Sequence, residues 1–543
     1  MSASEHRWDK RRRAADLAAL DRGWDLLIVG GGITGAGIAR EAARLGLHVL
    51  LVEAHDFAWG TSSRSSKMVH GGLRYLGNLQ FKTTITSVHE RDRLLRDGGG
   101  LVEPLEFIFP IYERDSATVL KLRAGLWVYN KLSMTHDVRR HDLSAMSARL
   151  PGIKREGLRG GWSYTDAETD DARLVLRVLR EASHAGATVI NYASATGLIR
   201  DCGRVCGVTI RDELTGALTS ARARAVVNAT GVWADELRSE LHLSAKMRPL
   251  RGSHLVVPHD RLPVNAAVLL LNPVDSRVLY VYPWEGATLV GTTDLDHDGS
   301  LSEEPRITAA EFDYLLAIAR DAFPQRDLRA CDVVSTYAGV RPVIADGSED
   351  PSKAARDHAV WHEKGLWTVT GGKLTTFREI ALDALRKLRR DLPELPPLRA
   401  DAPIFETAEA ELGAPLARAL GATATPARAL RILGRYGLDT AALLDAAAPG
   451  EMTLIPGTLT LWAELRFAAR HEAVVHLSDL LLRRTRIGHL LPEGGALILP
   501  RVREICTEEL GWDQATWDEE ARSYTAQWRR SFALPEGSET SPL

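Results

Sequence analysis

Cysteine is scarce. The chain of 543 residues holds four, Cys202, Cys206, Cys331 and Cys506, and no two of them form a C-x-x-C pair. So few thiols exclude a disulfide framework and argue against a structural zinc site. An excess of either charge is also missing. Lys plus Arg number 68 against 71 Asp plus Glu, a formal charge of -3, so no global field favours nucleic acid. No uninterrupted apolar run approaches the roughly 20 residues that span a bilayer. Met1 to Trp24 is charged throughout and lacks the apolar core of a secretion signal. What is present is ordinary globular composition, 45% hydrophobic and 26% charged, which excludes global disorder and collagen-like structure. A single core rarely grows past about 250–300 residues, so about two to four domains are expected. The expectation is a cytoplasmic protein that at most rests on a membrane surface.

Asp9 to Arg22 is charged, with apolar spots at Ala14, Leu17 and Leu20. It reads as a solvated N-terminal arm, with a membrane-touching amphipathic helix as the alternative. Leu26 to Val29 is a short apolar run that stops at Gly30-Gly31-Gly32. Helical character follows from Ile33 to Leu45, then a second buried-type strand, His48 to Val52, closing on Glu53. This is strand, tight turn, helix, strand. Residues 54 to about 80 form a Ser- and Gly-rich ordered loop leading to a helix, and Phe81 to Arg96 looks helical. Asp170 to Ala185 reads as a helix and Thr188 to Ile190 as a strand. A meander follows, with turns at Asp201-Cys202-Gly203 and Leu214-Thr215-Gly216, ending in Asn228-Ala229-Thr230-Gly231. Alternating apolar patterns from about 246 to 345 predict a second, antiparallel sheet. Leu366 to Thr370 is a strand that runs into Gly371-Gly372-Lys373 and a helix. Prolines at 393, 396, 397 and 403 mark a linker over 392–404, and helical pattern continues to about Phe532.

Gly30-x-Gly32-x-x-Gly35 lies directly between strand and helix. The first glycine permits the tight turn, the second lets backbone approach a pyrophosphate, and the third lets helix pack on strand. The helix N-terminus turns free N–H groups and a positive dipole end toward the phosphates. Glu53 stands 18 residues past Gly35, where a carboxylate accepts both ribose hydroxyls of an adenosine. The glycine turn alone does not separate FAD from NAD. Two further turns favour FAD: Asn228-Ala229-Thr230-Gly231, and the strand-to-helix turn Gly371-Gly372-Lys373-Leu374-Thr375. A reduced isoalloxazine needs positive potential near N1 and C2=O, and a late helix N-terminus supplies it.

At this point the chain resembles the FAD-dependent, quinone-linked glycerol-3-phosphate dehydrogenases. The most specific run is Ser65-Ser66-Lys67-Met68-Val69-His70-Gly71-Gly72-Leu73-Arg74-Tyr75-Leu76. Trp162-Ser163-Tyr164-Thr165-Asp166, Asp170-Asp171-Ala172-Arg173-Leu174, Arg251-Gly252-Ser253-His254, Gly291-Thr292-Thr293-Asp294 and Tyr337-Ala338-Gly339-Val340-Arg341-Pro342 follow in the family's order. Arg64 departs from the pattern, at a place where a small residue is expected. The resemblance implies an α/β fold: a Rossmann-like FAD-binding domain of the glucose/amine-oxidase kind, an antiparallel-sheet substrate domain and a helical C-terminal domain. It divides the chain into an arm (1–24), a discontinuous FAD-binding part (25–100, 151–245, 346–391), a substrate-binding part (101–150, 246–345), the linker, helices over 405–534 and a disordered tail (535–543). It further implies oxidation of sn-glycerol 3-phosphate to dihydroxyacetone phosphate, with electrons passing from FAD to a quinone. A peripheral contact with the inner membrane surface and a homodimer complete that expectation.

A small phosphorylated alcohol needs several cationic donors, and guanidinium grips phosphate in bidentate fashion. Arg74 follows Gly71-Gly72, Arg341 follows Gly339, and Lys373 follows Gly371-Gly372 at a helix start where a cation is electrostatically misplaced unless an anion sits nearby. The resemblance carries Arg74, Tyr75, Arg341, Arg356 and Lys373 onto the substrate site. Alcohol oxidation also needs a base for the hydroxyl proton, and histidine suits this near neutral pH. His254 is the favoured base, with Arg341 near the reacting oxygen; His70 is the reserve. Thr61, Ser62, Ser65, Ser66 and Lys67 form a polar loop assigned to the cofactor, with Thr230, Gly231, Gly372, Leu374 and Thr375. His471-Glu472-x-x-x-His476 imitates a zinc signature, but its spacing of five sets the two rings about 140° apart on a helix. No metal is expected. Arg483-Arg484-Thr485-Arg486 reads either as a contact for anionic lipid or as a solvated helix end. The competing functions are an oxidase that reduces O2 to peroxide, an amine- or hydroxy-acid-oxidising relative, and a catalytically silent flavin-binding redox sensor.

Overall fold

A computed structural model of the chain describes residues 7–73, 81–113, 116–133, 136–272, 277–345 and 357–537. The first apolar run forms β1 (Trp24–Val29), and the glycine turn delivers the chain into helix Ile33–Ala43. That helix is buried on almost every side, which its Ala- and Gly-rich sequence permits. The chain then enters β2 (Val49–Val52) and a loop, and reaches β3 (Met68–Val69), helix Phe81–Asp97 and β4 (Val102–Tyr112). Helix Ser116–Leu132 precedes β5 (Arg139–His141) and the long β6 (Leu158–Thr169). Asp170 caps helix Asp171–His184 by accepting the Arg173 N–H. Next come β7 (Thr188–Ile190), β8 (Ala193–Asp201), β9 (Arg204–Asp212) and β10 (Leu218–Asn228), joined by the turns read from the sequence. The alternating region folds as β11 (Met247–Pro258), β12 (Ala267–Leu271), β13 (Val278–Trp284), β14 (Ala287–Gly291), β15 (Leu295–Asp296) and β16 (Ser335–Ile344). Finally β17 (His358–Glu363) and β18 (Leu366–Gly371) lead into helix Phe377–Leu388.

Two sheets result. The first runs β17-β18-β10-β1-β2-β7, with β8 and β9 extending from β10. Its centre, from β18 to β7, is parallel. Helices Ile33–Ala43, Asp171–His184 and Phe377–Leu388 pack into one core with it. From β1 the chain crosses to β2 on one side, while β10 arrives on the other. The crevice at the C-terminal end of β1 is therefore a topological switch point, where such sheets bind ligands. Among the described residues the second sheet has ten strands, mostly antiparallel, and includes β3 and β6. The second sheet thus draws on residues expected in the FAD-binding part: β6 pairs with β4 along its whole length. One face of this sheet shares a continuous core with the C-terminal helices, from Phe107 and Tyr282 through Leu481 to Trp528.

Three expectations about exposure are corrected. The N-terminal arm is anchored and not free: Trp8 and Leu20 are buried, the Trp8 N–H bonds the His471 carbonyl, and Arg13 reaches Asn191, Tyr192 and Asp212, while the helix between, Lys10–Ala18, buries no residue and stays partly solvated. The proline-rich linker packs down, with Leu392, Leu395 and Ile404 buried. Arg483, Arg484 and Arg486 are buried as well, not offered to solvent or lipid. Each has found a carboxylate partner, which a charge removed from water requires. The four cysteines are free thiols, and residues 538–543 of the tail lie outside the described residues.

Candidate active site

A cavity of about 510 Å3 opens at the switch point. Gly30, Gly32, Glu53, Thr61, Ser62, Ser65, Thr230, Gly231, Gly372, Lys373 and Leu374 all line it. The glycine turn is built as its spacing demands. Gly30 has φ +115°, and a Cβ there would lie 2.5 Å from the Ala229 carbonyl oxygen. A Cβ on Gly35 would lie 2.0 Å from the Gly30 carbonyl oxygen. Gly32 is different: its Cβ would approach only Ser62, at 3.0 Å from Oγ, so its bare face belongs to the cavity. Gly31 is equally constrained, since a Cβ would meet Glu53 and Phe57 at 2.9 Å. The motif gave no hint of that, because its second position tolerates any residue.

Glu53 accepts the N–H of Gly31 at 2.6 Å and that of His55 at 2.9 Å. Burial raises its pKa despite these donors. Each carboxylate oxygen keeps a second lone pair for a ligand hydroxyl. Gly32 caps helix Ile33–Ala43 without a side chain, and Ser62 Oγ accepts the Ile33 N–H at 3.0 Å. The other first-turn N–H groups have no partner within the helix. A cradle emptied of Cβ atoms, a helix N-terminus and a carboxylate beyond it fit a dinucleotide.

The loop hydroxyls are mostly engaged inside the protein. Thr61 Oγ1 donates to the Val340 carbonyl at 2.5 Å, Ser65 Oγ to Asp171 at 2.7 Å, and Thr230 Oγ1 to Asn228 at 2.7 Å. Lys67 does not line the cavity. It is fully buried, donates to the Ser63 carbonyl and Asp171 at 3.1 Å, and lies over the ring of Tyr337. Burial and the Arg486 charge lower its pKa to about 7. Trp59 and Trp233, 5.7 Å apart, and His55, stacked on Trp59, also line the cavity. No sequence pattern marked these three; they come together only through the fold.

His254 and Arg341 lie behind this loop, on one face of neighbouring strands. In the β11–β16 register Leu250 opposes Arg341, Gly252 opposes Gly339, and His254 opposes Tyr337. Because side chains alternate, these six residues share a face. His254 stacks on Tyr337 at 4.6 Å, and a Cβ on Gly291 of β14 would strike its ring. The Arg341 guanidinium leans over Gly252, where a Cβ would collide with it, and so moves toward His254. It is held by Asp294 at 2.7 Å and Thr292 Oγ1 at 3.0 Å. The Gly-Thr-Thr-Asp motif was visible in the sequence; its role as the arginine's clamp was not. His254 is 1% exposed, its Nε2 bonds Ser66 Oγ at 3.0 Å, and its Nδ1 is buried with no partner among the described residues. Burial, then the charges of Lys67 and Arg341, push its pKa well below the usual imidazole value. The ring is therefore neutral at physiological pH.

Ser66 thus serves the histidine. Thr375 joins His70: the His70 N–H donates to Thr375 Oγ1 at 3.2 Å, tying the 61–73 loop to the turn after β18. Lys373 Nζ donates to Ser87 Oγ at 2.9 Å from that same turn. Arg74, Tyr75 and Arg356 lie outside the described residues. Arg64 pairs with Glu304 and presents its carbonyl to Gly339. His471 and Glu472 hold domains together, Glu472 through a two-pronged bond to Arg173 at 2.7 Å. Among the described residues no cluster of His, Cys, Asp and Glu is able to hold a metal ion.

A parallel sheet with this cradle, joined to a second sheet carrying a neutral histidine and a clamped arginine, defines a flavin-dependent oxidoreductase. Residues 25–377 match the family model for FAD dependent oxidoreductases, and residues 405–517 match the C-terminal domain of alpha-glycerophosphate oxidase. The chain belongs to the FAD-dependent glycerol-3-phosphate dehydrogenase family. It is 38% identical over 523 residues to glycerol-3-phosphate dehydrogenase 2 of Mycobacterium tuberculosis, covering 93% of this chain and 88% of that protein. It is 33% identical to the aerobic glycerol-3-phosphate dehydrogenase of Staphylococcus epidermidis, over 86% of this chain and 87% of that protein. The glycerol-3-phosphate dehydrogenase of Bacillus halodurans, solved with FAD, superposes with a TM-score of 0.77 at 28% identity, covering 96% and 98% of the two chains.

Proposed function

We propose that this protein oxidises sn-glycerol 3-phosphate to dihydroxyacetone phosphate and delivers the electrons to a quinone at a membrane surface. The observation that carries the chemistry is the buried His254 on the same sheet face as Arg341 of the neighbouring strand. Bound FAD supplies the two-electron acceptor for the hydride lost from C2. His254 keeps its Nε2 proton on Ser66 Oγ and takes the substrate's hydroxyl proton on Nδ1, the nitrogen without a partner. Arg341 stabilises negative charge on the reacting oxygen, and the Asp294–Thr292 clamp keeps its guanidinium oriented. Lys373 grips the phosphate, joined by Arg74, Tyr75 and Arg356 on the strength of their motifs. The quinone rests on the motif resemblance alone; the relatives are named aerobic, and among the described residues no helix is long and apolar enough to cross a membrane.

The test is anaerobic: glycerol 3-phosphate should bleach the flavin, and glycerol should not. Equal bleaching by both would remove the phosphate site from the proposal. One observation favours a second reading, an oxidase passing electrons to O2: the helical region matches a domain named for alpha-glycerophosphate oxidase. Peroxide formed as fast as a quinone analogue is reduced would support that reading over the first.

A further inference from the structure

Three arginines of the C-terminal helical domain reach across to both loops that shape the cofactor cavity. Arg483 Nε and Arg484 Nη1 converge on Asp56 Oδ2 at 2.5 and 2.7 Å, and Arg484 Nη2 takes Oδ1 at 2.6 Å. Asp56 lies between Glu53 and Trp59, which line that cavity. Arg486 Nη2 donates to the Ser63 carbonyl at 2.8 Å and faces Asp171 Oδ1 at 3.3 Å. Lys67 meets the same carbonyl and the same carboxylate, whose Oδ2 also accepts the Ser65 N–H and hydroxyl. The loop from Ser63 to Lys67 is therefore nailed at three residues to one buried hub. Two serines set by this anchoring act on the site: Ser62, just before the loop, on the Ile33 N–H, and Ser66, within it, on His254.

We infer that Arg486, backed by Arg483 and Arg484, is a positioning residue for the reaction: the helical domain sets where Ser66 meets His254 and where the Glu53 loop meets the cofactor. The inference rests on the reading of His254 as base. Charge burial on this scale is poor evidence for stability alone, because paired charges taken out of water roughly break even with apolar packing. What a rigid, fully desolvated network does provide is a fixed geometry, and small displacements of a reacting group are costly. The two arms differ. Arg483 and Arg484 meet the other domain only through the Asp56 carboxylate, their remaining donors going to Asp479 and the Glu472 carbonyl, whereas Arg486 joins the Ser63 carbonyl across the interface to the Leu482 carbonyl and so fixes the loop backbone directly.

The experiment uses the holoenzyme and follows anaerobic flavin bleaching by glycerol 3-phosphate. Arg486→Lys keeps the charge but cannot span Ser63, Leu482 and Asp171 together. It should slow bleaching at saturating substrate about tenfold or more while substrate affinity changes about twofold or less. Ser66→Ala should show the same signature, and the double variant should be no slower than the worse single one. Arg466→Lys is the control: its carboxylate partners Glu451, Glu508 and Glu509 all belong to the helical domain, so it should lower the melting temperature and leave bleaching unchanged. If Arg486→Lys does not fold, Asp171→Asn cuts the same hub from the other domain and is judged identically. Wild-type bleaching in Arg486→Lys, or losses that multiply with Ser66→Ala, would overturn the inference. Wild-type bleaching in His254→Gln would instead overturn the base assignment, and separates that failure from this one.

Discussion

Gly32 and Gly35, three residues apart in the same turn, should fail in opposite ways when given a methyl group. In Gly35→Ala the new Cβ lies 2.0 Å from the Gly30 carbonyl oxygen, a backbone atom held by the turn itself. Neither side has room to yield, so the helix must part from the strand. Overpacking of this kind costs about 1–3 kcal/mol, and more where backbone must move. In Gly32→Ala the backbone already has φ -82° and ψ -177°, which any residue adopts, and the methyl approaches only Ser62 Oγ at 3.0 Å. Loss of unfolded-state freedom then favours the fold by about 0.4–1 kcal/mol, offset by a cost of similar size for alanine at this helix N-cap. The methyl instead occupies the approach to the cavity and weakens FAD. Thermal melts of apo- and holoprotein at fixed FAD separate the two. Ligand stabilisation follows the logarithm of free ligand over Kd, so a hundredfold weaker Kd removes about 2.7 kcal/mol from the holoprotein and nothing from the apoprotein. Gly35→Ala should lower both melts. Gly32→Ala should lower the holo melt alone. An apo melt of Gly32→Ala that falls as far as that of Gly35→Ala would refute this account of the turn.

Arg341→Ala should cost about 3–5 kcal/mol of transition-state stabilisation, read as kcat/KM for glycerol 3-phosphate; wild-type kinetics would exclude it from the site, and Arg341→Lys should not restore a clamp built for a planar fork. Because burial holds His254 neutral, no limb of the bleaching rate between about pH 6 and 8 should belong to it, whatever Lys67 and the substrate phosphate contribute there; an acidic limb centred near the ordinary imidazole pKa, lost in His254→Gln, would contradict its burial. Acid should loosen the helical domain. Asp56 is held down to about 2, burial opposing and the Arg484 and Arg483 charges outweighing it. Its stabilisation is complete above the unfolded carboxylate value and is lost as pH falls through about 2. A depression of this size is worth about 2–3 kcal/mol. Chemical denaturation between about pH 5 and 2 should show that slope, and Asp56→Asn should flatten it; an unchanged slope would place the effect elsewhere.

What the residues alone determined is what is local. Gly30, Gly32 and Gly35 are legible because a tight turn, a close backbone approach and helix–strand contact are demands on positions a few residues apart. The helix after them, the strands on either side and the meander turns at Gly203 and Gly216 follow from periodicity and turn chemistry in the same way. Glu53 is legible as the end of the next strand. The Gly-Ser-His and Gly-Val-Arg motifs marked His254 and Arg341, yet only the antiparallel register of β11 and β16 put them on one face. Tertiary structure decided wherever meaning depended on a distant partner. Lys67 and Ser66 stand side by side in a polar loop, but one turns inward to Asp171 and the other to His254. Arg483, Arg484 and Arg486 carry the composition of a solvated helix end and are buried, because Asp56 and Asp171 wait for them more than 300 residues earlier in the chain. A side chain's charge is written in its residue type; the dielectric around it and the carboxylate that meets it are set by the fold, and these decide whether the same arginine is surface or hub.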